Sequence, residues 1–416
     1  MSPQYFISYR RSPGRTTGDA EAIRLRDALR DRGVRSWRDI DNLGAEPTEA
    51  ELTAVLQDPE TAGAVMLVSP EIRESDVVRN VEARRIFQRK AKDPAFLVKP
   101  LLLGLNYGEA DEVLGSPAGF QDVSNWNLQR VANGEYTLDD ACSTARDVLR
   151  HRCISIAADG DASELSVGLF SRRIPGIDNV ALKFDYSGYF NGRVCPDGTL
   201  EIIEQAMLDA ATSIAENIPT RSILGEGQAS LPIGLLFGAV FSPLAGFALT
   251  WRQAFGGRDP ERWSHAVDRS QIGVNVTTTG GDVSAKDIVL ALGVSANIED
   301  SVARYLRSTQ TPYRVAQHVA PQDGAIAQNV ALSPADGVAI VSAAVDAARK
   351  QREELGISGG RLHLFLACPL AMAVLLGQKL NTFGDCVLYE HDPSAELNYL
   401  QVHTFNPSGF TYTTTS

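Results

Sequence analysis

One carboxylate and a pair of arginines occupy positions in this sequence that would bring them together in a folded chain. Glu82 follows an apolar run, residues 64–68, and a short polar loop. Arg10 and Arg11 directly follow another apolar run, residues 5–9. If both runs are neighbouring strands of a parallel sheet, their carboxyl ends share one edge, where ligands bind in open α/β sheets. A carboxylate that faces a cationic loop predicts a site for a charged, phosphate-bearing substrate.

Two loops in the second half of the sequence predict a separate anion site. Residues 225–230 and residues 368–369 each connect an apolar strand to an apolar helix. The N-terminus of a helix presents unpaired N–H groups and the positive end of its dipole, which favours a phosphate. The loop 293–295 precedes another helical pattern and is a third candidate. A pseudo-twofold arrangement of these loops would suit a ring-shaped anion.

The first site requires alternating strands and helices, and residues 4–150 show that alternation. Strands are predicted at 5–9, 34–38, 64–69 and 96–103. Between them lie amphipathic helices, one of which ends at Gly33 and another of which begins with a capping-box pattern from Thr48 to Glu51. A last helix is predicted over 138–150. The strict alternation predicts a parallel, doubly wound α/β sheet of flavodoxin-like order.

An internal repeat organises the second site. Residues 230–238 and 247–251 align without a gap on residues 369–377 and 386–390, and both copies read as loop, apolar helix, glycine and strand. The repeat predicts two fused Rossmann-like units. The uncharged stretch 231–251 is as long as the ~20 residues that a membrane span needs. Its prolines and glycines interrupt it, and the second copy carries charged residues, so the sequence predicts no membrane segment.

Composition limits the classes of partner and compartment. The 416 residues predict two or three domains, and the net charge of -12 argues against binding of a DNA or RNA polymer while allowing a small nucleotide. The cysteines are odd in number and show no CxxC spacing, which predicts neither a metal site nor a disulfide framework: Cys142, Cys153, Cys195, Cys368 and Cys386. With a strand expected almost at the N-terminus, no signal peptide is predicted, and the expected location is the cytoplasm.

Residues 3–150 resemble a bacterial TIR domain. The resemblance rests on the segment 6–11, on Asp39 with the loop 41–47 that contains Gly44, and on the segment from Ser69 to Glu82. It implies that Glu82 is catalytic and that NAD+ is cleaved at its nicotinamide–ribose bond, as substrate and with no cofactor. The resemblance and the strand-end positions together give the candidate substrate-binding residues Ser8, Tyr9, Arg10, Trp37, Asp39, Gly44 and Ser69.

The sequence departs from the TIR pattern at one position. Catalytic TIR domains often carry an aromatic residue one helical turn before the glutamate, where this chain has Val78. Trp37 is then the candidate for stacking on nicotinamide, across a subunit boundary or within one chain. Two alternatives stay open, because Trp37 also suits a core position and Ser8 also suits a strand-end cap.

Residues 176–416 resemble the SAVED domain, a fused pair of CARF-like units that senses cyclic oligonucleotides. The segment 361–369, the helix that ends at Gly377 and the segment 386–391 carry the resemblance. The post-strand loops give the candidate nucleotide-binding residues Gly225, Gln228, Ser230, Ser295, Cys368, Pro369, Tyr389 and His391. A structural histidine at 391 and a plain helix-start residue at 368 are the competing interpretations.

Together the two resemblances predict a TIR-SAVED effector of a cyclic-oligonucleotide antiphage (CBASS) system. The expected organisation is a TIR domain at 1–150, a linker at 151–175 and a SAVED domain at 176–416, with halves at about 176–285 and 286–416. A cyclic oligoadenylate, expected to be cyclic tri-adenylate, would drive head-to-tail assembly into filaments, complete the TIR sites and deplete NAD+, which is abortive infection. A non-enzymatic adaptor and a producer of a cyclic ADP-ribose-type messenger are the alternatives.

Overall fold

The computed structural model describes residues 3–10, 17–38, 48–114, 129–131, 135–160, 163–172, 177, 179–254, 259–268, 270–323 and 332–410. The chain divides into two compact units. The first consists of Met1–Asp161, Asp178–Phe184 and Glu216–Pro219. The second consists of Ala162–Ile177, Asp185–Ala215 and Thr220–Ser416.

The first unit is built on a parallel sheet. Its elements are β1 (Gln4–Ser8), α1 (Thr17–Asp31), β2 (Arg35–Trp37), α2 (Thr48–Gln57), β3 (Thr61–Val68), α3 (Arg84–Lys92), β4 (Leu97–Leu103), α4 (Tyr107–Leu114), β5 (Gln129–Val131) and α5 (Leu138–Ala158). The strand order is β2-β1-β3-β4-β5, and all neighbouring pairs are parallel. This order confirms the predicted flavodoxin-like sheet.

The sheet brings the ends of β1 and β3 side by side. Phe6 pairs with Ala64 and Ser8 with Met66 in the register between the two strands. Both strands are buried along most of their length, as expected for a sheet with helices on both faces. Beyond β3 the chain makes a 3-10 turn over Pro70–Glu74 and a π-type helical turn over Val77–Ala83 before α3. Glu82 therefore follows the strand that borders β1.

The segment 151–175 differs from the linker predicted for it. Helix α5 continues to Ala158, and β6 (Leu165–Phe170) pairs in parallel with β8 of the second unit. Leu165, Val167 and Leu169 are fully buried, so β6 is a core strand. Its polar and glycine-containing neighbours concealed this short apolar run in the sequence.

The second unit contains a pair of mixed sheets. The strands are β6, β8 (Ser222–Gln228), β9 (Ala248–Gln253), β10 (Glu261–Trp263), β11 (Val274–Gly280), β12 (Ile288–Gly293), β13 (Val315–Pro321), β14 (Leu362–Ala367), β15 (Cys386–His391) and β16 (Tyr399–Phe405), and β7 (Leu182–Asp185) falls at the unit boundary. The helices are α6 (Thr199–Asn217), α7 (Leu231–Val240), α8 (Glu299–Ser308), α9 (Pro334–Glu354) and α10 (Leu370–Gly377). Short 3-10 turns lie at Ser187–Tyr189, Pro243–Ala245 and Leu380–Thr382.

The two sheets repeat one arrangement. One contains the order β10-β9-β8-β6, and the other has the order β11-β13-β12-β14-β15-β16. In each, three parallel strands (β6, β8, β9 or β12, β14, β15) end in an antiparallel partner, β10 or β16. The repeat found in the sequence is therefore a repeat of structure, and it confirms the prediction of two fused Rossmann-like units.

The apolar helices of the two copies, α7 and α10, pack against each other through glycines. A Cβ added to Gly238 would overlap the carbonyl oxygen of Val374, and a Cβ added to Gly377 would overlap that of Leu235. Gly238 aligns with Gly377, and Leu235 aligns with Val374. The two contacts are therefore equivalent, since each glycine meets the corresponding residue of the other copy. The helices are thus related by a pseudo-twofold axis, as in an isologous interface.

No helix in the described part of the chain is both long enough and apolar enough to span a bilayer. The uncharged stretch 231–251 forms the buried ten-residue helix α7, a 3-10 turn and most of β9.

Candidate functional site

A cavity of about 740 Å³ lies within the second unit, where several parallel strands end. The loops after β8, β12 and β14 line it, together with the last residues of β15 and the first residues of α7. In open α/β sheets, ligands bind outside the carboxyl ends of the strands. The cavity therefore occupies the place where this fold binds ligands, and it lies where the two copies of the repeat meet.

Seven of the eight residues proposed for nucleotide binding line this cavity: Gln228, Ser230, Ser295, Cys368, Pro369, Tyr389 and His391. Gly225 does not line it. A Cβ at Gly225 would lie 2.8 Å from a ring carbon of Trp251, so this glycine allows close packing of the indole. Trp251 is itself buried in the core.

Two arginines that sequence analysis did not single out also line the cavity. Arg172 follows β6, and Arg193 lies on the turn between Gly192 and Gly198, both of which adopt positive φ angles. Arg172 was missed because β6 was assigned to a linker, and Arg193 because no motif surrounds it. The guanidinium group is suited to bidentate recognition of phosphate. The cavity can therefore hold an anionic ligand.

The helix termini at the cavity are partly occupied by neighbouring side chains. Oε1 of Gln253 accepts a hydrogen bond of 3.1 Å from the backbone N–H of Ala371, in the first turn of α10. The N–H of Ser230, the residue before α7, donates to Oγ of Ser171 at 2.9 Å. Gln253 also lines the cavity. A ligand phosphate would meet these polar side chains as well as the helix dipole.

Glu390 lies on the cavity wall, among cationic and anionic side chains. Burial raises its pKa to about 7, against the lowering influence of the arginines at 172 and 193 and of a hydrogen bond from Ser230. Burial also raises the pKa of Cys368 to about 12, so this thiol stays protonated and is not a nucleophile.

A buried chain of hydrogen bonds holds the ring of Tyr389. Its hydroxyl donates to Nδ1 of His363 at 2.8 Å, and Nε2 of that ring donates to Oδ2 of Asp287 at 3.1 Å. Burial lowers the pKa of His363, so the ring is neutral and can accept at Nδ1. Burial alone would raise the pKa of Asp287, but hydrogen bonds from Arg361 and His363 hold it below its ordinary value. Tyr389 is also stacked on Phe365, with ring centroids 4.0 Å apart.

In the first unit, Ser8 and Glu82 meet. Oγ of Ser8 donates a hydrogen bond of 2.5 Å to Oε2 of Glu82, and both side chains are buried. Glu82 lies in the π-type turn, a feature that is frequent at functional sites. The bond orients one carboxylate oxygen. It holds the carboxylate at the edge of the sheet where β1 and β3 end.

Two other candidates of the first unit, Arg10 and Trp37, are engaged in contacts with neighbouring residues. Arg10 donates to the carbonyl oxygen of Glu71 and forms an ion pair of 2.9 Å with Glu74, so it is tied to the turn after β3. Trp37 is buried and stacked on Phe6, with ring centroids 5.0 Å apart.

The remaining candidates lie near the same strand ends. Tyr9 is buried just beyond β1, and Ser69 precedes the 3-10 turn. Val78 is buried in the hydrophobic core. Asp39, Gly44 and the loop 41–47 lie outside the described residues. Among the residues that the structure describes, no group of three or more His, Cys, Asp or Glu side chains could hold a metal ion.

Comparison with known proteins assigns the second unit. Residues 208–402 match the family model "SAVED: SMODS-associated and fused to various effectors sensor domain". The C-terminal half of the chain therefore carries a SAVED domain, built of two CARF-like Rossmann units. No curated protein matches the chain.

Solved structures of Cap4 receptors are similar to this chain. One is the Acinetobacter baumannii Cap4 SAVED/CARF-domain containing receptor with the cyclic trinucleotide 3'3'3'-cAAA, at 14% identity and a TM-score of 0.48, covering 88% of this chain and 86% of that one. Another is the Moraxella osloensis Cap4 SAVED/CARF-domain containing receptor, at 15% identity and a TM-score of 0.44, with the same coverage.

Proposed function

We propose that this chain is a cyclic-oligonucleotide-gated effector of antiphage (CBASS) defence, with its sensor in the second unit and an NAD+-cleaving TIR domain in the first. The observation that carries the proposal is the 740 Å³ cavity of the SAVED domain, which brings Arg172 and Arg193 together with seven residues proposed from sequence. The expected activator is cyclic tri-adenylate, and the expected products are nicotinamide and ADP-ribose.

The cavity supports a nucleotide ring by its size and charge. Ligand sites of proteins have volumes of about 300–1,000 Å³, so about 740 Å³ can hold a small cyclic oligonucleotide. Arg172 and Arg193 would neutralise ring phosphates, while the half-buried ring of His391 is available to a base.

The Ser8–Glu82 pair supports the effector activity. Cleavage at the anomeric carbon of the nicotinamide-bearing ribose of NAD+ passes through an oxocarbenium-like state, which a fixed carboxylate stabilises or captures. Ser8 holds Oε2 of Glu82 and so fixes the orientation of the carboxylate that would act at the ribose. Arg10, just beyond β1, would bind the pyrophosphate of NAD+ by exchanging its ion pair with Glu74 for phosphate contacts.

Assembly is the proposed means of activation. Val78 and Trp37 are both buried, so neither offers an exposed face on which nicotinamide could stack. We assign that role to a neighbouring subunit, brought in when ligand favours head-to-tail contacts that do not close and so give filaments. For such coupling, the ring must bind the assembled state more tightly than the free one.

Two other functions are compatible with some of the same residues. Val78 in place of an aromatic residue favours a non-enzymatic adaptor that recruits partners after ligand binding. A TIR domain that forms a cyclic ADP-ribose-type messenger would use the same glutamate.

The deciding experiment mixes purified protein, NAD+ and a panel of cyclic oligonucleotides, and follows nicotinamide release and light scattering together. We expect release only with the activating ring and in step with assembly. Ring binding and assembly without release would support the adaptor, and release of nicotinamide with a cyclic product would support the messenger. Cleavage by protein that stays monomeric would contradict the gating model.

A further inference from the structure

Glu390 is unexpected in a cavity for a phosphate-bearing ligand. Among the described residues that line the cavity, it is the one acidic side chain. A carboxylate repels phosphates and would weaken binding if its role were electrostatic alone. Ser230 donates a hydrogen bond to this carboxyl group and the arginines at 172 and 193 lie near it, and a base of the ligand is a further group that it can recognise.

The carboxyl group has an apolar backing and a polar front. Behind it, Phe190, Leu200, Pro232 and Val402 enclose a small void of about 10 Å³ that Glu390 and Ser230 also line. In front lies the main cavity, which Glu390 shares with Tyr389 and His391. The apolar backing excludes water from one side of the carboxyl group.

The charged groups around Glu390 come from several elements. Arg172 follows β6, Arg193 lies on the turn after β7, and His391 and Asp392 follow Glu390 on its own strand and loop. Cys195 is also close, but burial raises its pKa to about 11 and it is neutral. Burial raises the pKa of Glu390 to about 7 in spite of both arginines. Ring phosphates would add negative charge and favour the neutral carboxyl group further.

A neutral carboxyl group carries one donor and one acceptor, whereas a carboxylate carries acceptors only. The Watson–Crick edge of adenine has one donor, the N6 amino group, and one acceptor, N1. Guanine presents two donors on that edge, N1–H and the N2 amino group, and these match a carboxylate.

We propose that Glu390 selects adenine in the bound ring, with its hydroxyl donating to N1 and its carbonyl oxygen accepting from the N6 amino group. This inference rests on the proposed sensor function of the cavity. The adenine then lies beside the rings of His391 and Tyr399, whose centroids are 5.3 Å apart. In the first copy of the repeat, the strand register places Gln253 at the position equivalent to Glu390, and its Oε1 already accepts a hydrogen bond from the N–H of Ala371, so the other bases of the ring are read elsewhere.

The test is calorimetric binding of cyclic tri-adenylate and of the ring with one guanine in place of adenine. Affinity for the adenine ring is expected to be level below about pH 7 and to fall by up to about tenfold per pH unit above it, because one proton must be held. Glu390→Gln keeps one donor and one acceptor, so it should retain adenine preference and lose the pH dependence. Glu390→Leu should reduce that preference by about tenfold or more.

Two variants serve as controls. His391→Gln should keep the pH dependence, which separates Glu390 from the neighbouring titrating ring. Glu396→Gln, at an exposed position of the same unit, should behave as wild type. If Glu390→Leu binds the ring with unchanged base preference, the proposed role of Glu390 is wrong, whereas the sensor proposal stands. If wild-type protein binds no ring, the sensor proposal fails and this inference fails with it.

Discussion

The hydroxyl of Ser8 donates a 2.5 Å hydrogen bond to Oε2 of Glu82, and so joins the end of β1 to the helical turn that follows β3. These two strands are adjacent in the centre of the first sheet. The bond fixes one carboxylate oxygen by a donor on a rigid strand, which is how a reactive carboxylate is held in a defined orientation.

Replacement of Glu82 tests the effector. Glu82→Gln is expected to lower nicotinamide release by about 100-fold or more, because an amide cannot stabilise developing positive charge as a carboxylate does. Ser8→Ala should cause a smaller loss, and Glu112→Gln, which removes an exposed ion pair with Arg73, should cause none. Activity that survives in Glu82→Gln would remove this residue from the mechanism. Ring binding, measured in parallel, should not change in any of the three.

The cavity arginines are expected to contribute much of the affinity for a cyclic oligonucleotide. Arg172→Gln and Arg193→Gln should each weaken ring binding by about tenfold or more, since hydrogen bonds to charged groups contribute about 1.5–3 kcal/mol. Each should also reduce the dependence of affinity on salt. Arg262→Gln, which breaks an exposed ion pair of 2.9 Å with Glu164, is the matched control. Equal affinities for all three variants would place the phosphates elsewhere.

The contact between α7 and α10 predicts a large effect from one methyl group. Gly377→Ala should lower the free energy of unfolding of the second unit by about 1–3 kcal/mol, because the new Cβ would overlap a backbone carbonyl that cannot move aside. Gly280→Ala serves as the control, since nothing lies within 4 Å of a Cβ built there. Chemical denaturation measures both, and equal stabilities would contradict the close contact.

His403 predicts a stability that depends on pH. Its Nε2 lies 2.5 Å from Oε2 of Glu204 and its Nδ1 lies 3.2 Å from Oε1 of Glu201. Burial lowers the pKa of His403, but the two carboxylates outweigh burial and raise it above the ordinary value. The contribution is therefore complete below the pKa of the unfolded chain, about 6.5, and is lost as pH rises through the folded pKa.

His403→Gln should remove this dependence. The difference in unfolding free energy between wild type and variant is expected to be largest at about pH 5.5 and to shrink towards about pH 9. A difference that grows with pH would show that His403 is neutral in the fold. Urea denaturation at several pH values makes the measurement.

The sequence predicted the elements whose patterns are local. Strands β1, β3 and β4 are apolar runs with clear ends, and the copies of the repeat share helix, glycine and strand, so their sheets followed from general rules of α/β topology. The strand ends then placed most of the cavity, because loops after parallel strands meet at one edge of a sheet.

What the sequence did not predict depends on packing between distant segments. β6 is six residues long and lies among polar residues, so only its pairing with β8 identifies it. Arg172 and Arg193 belong to no motif and reach the cavity through the path of the chain. Trp37 suited both a core position and a ligand position, and its stacking on Phe6 is a tertiary contact that no local pattern specifies.

The glycine contact between α7 and α10 carries an evolutionary consequence. Two identical copies would meet there as a homodimer, and every substitution in one wall of their cavity would appear in the other. Joining the copies in one chain releases that constraint, so that an amide, Gln253, borders the cavity in one half while a carboxyl group, Glu390, borders it at the equivalent strand position in the other. Duplication followed by fusion thus lets a symmetric scaffold acquire an asymmetric receptor, whose ligand need not possess a twofold axis.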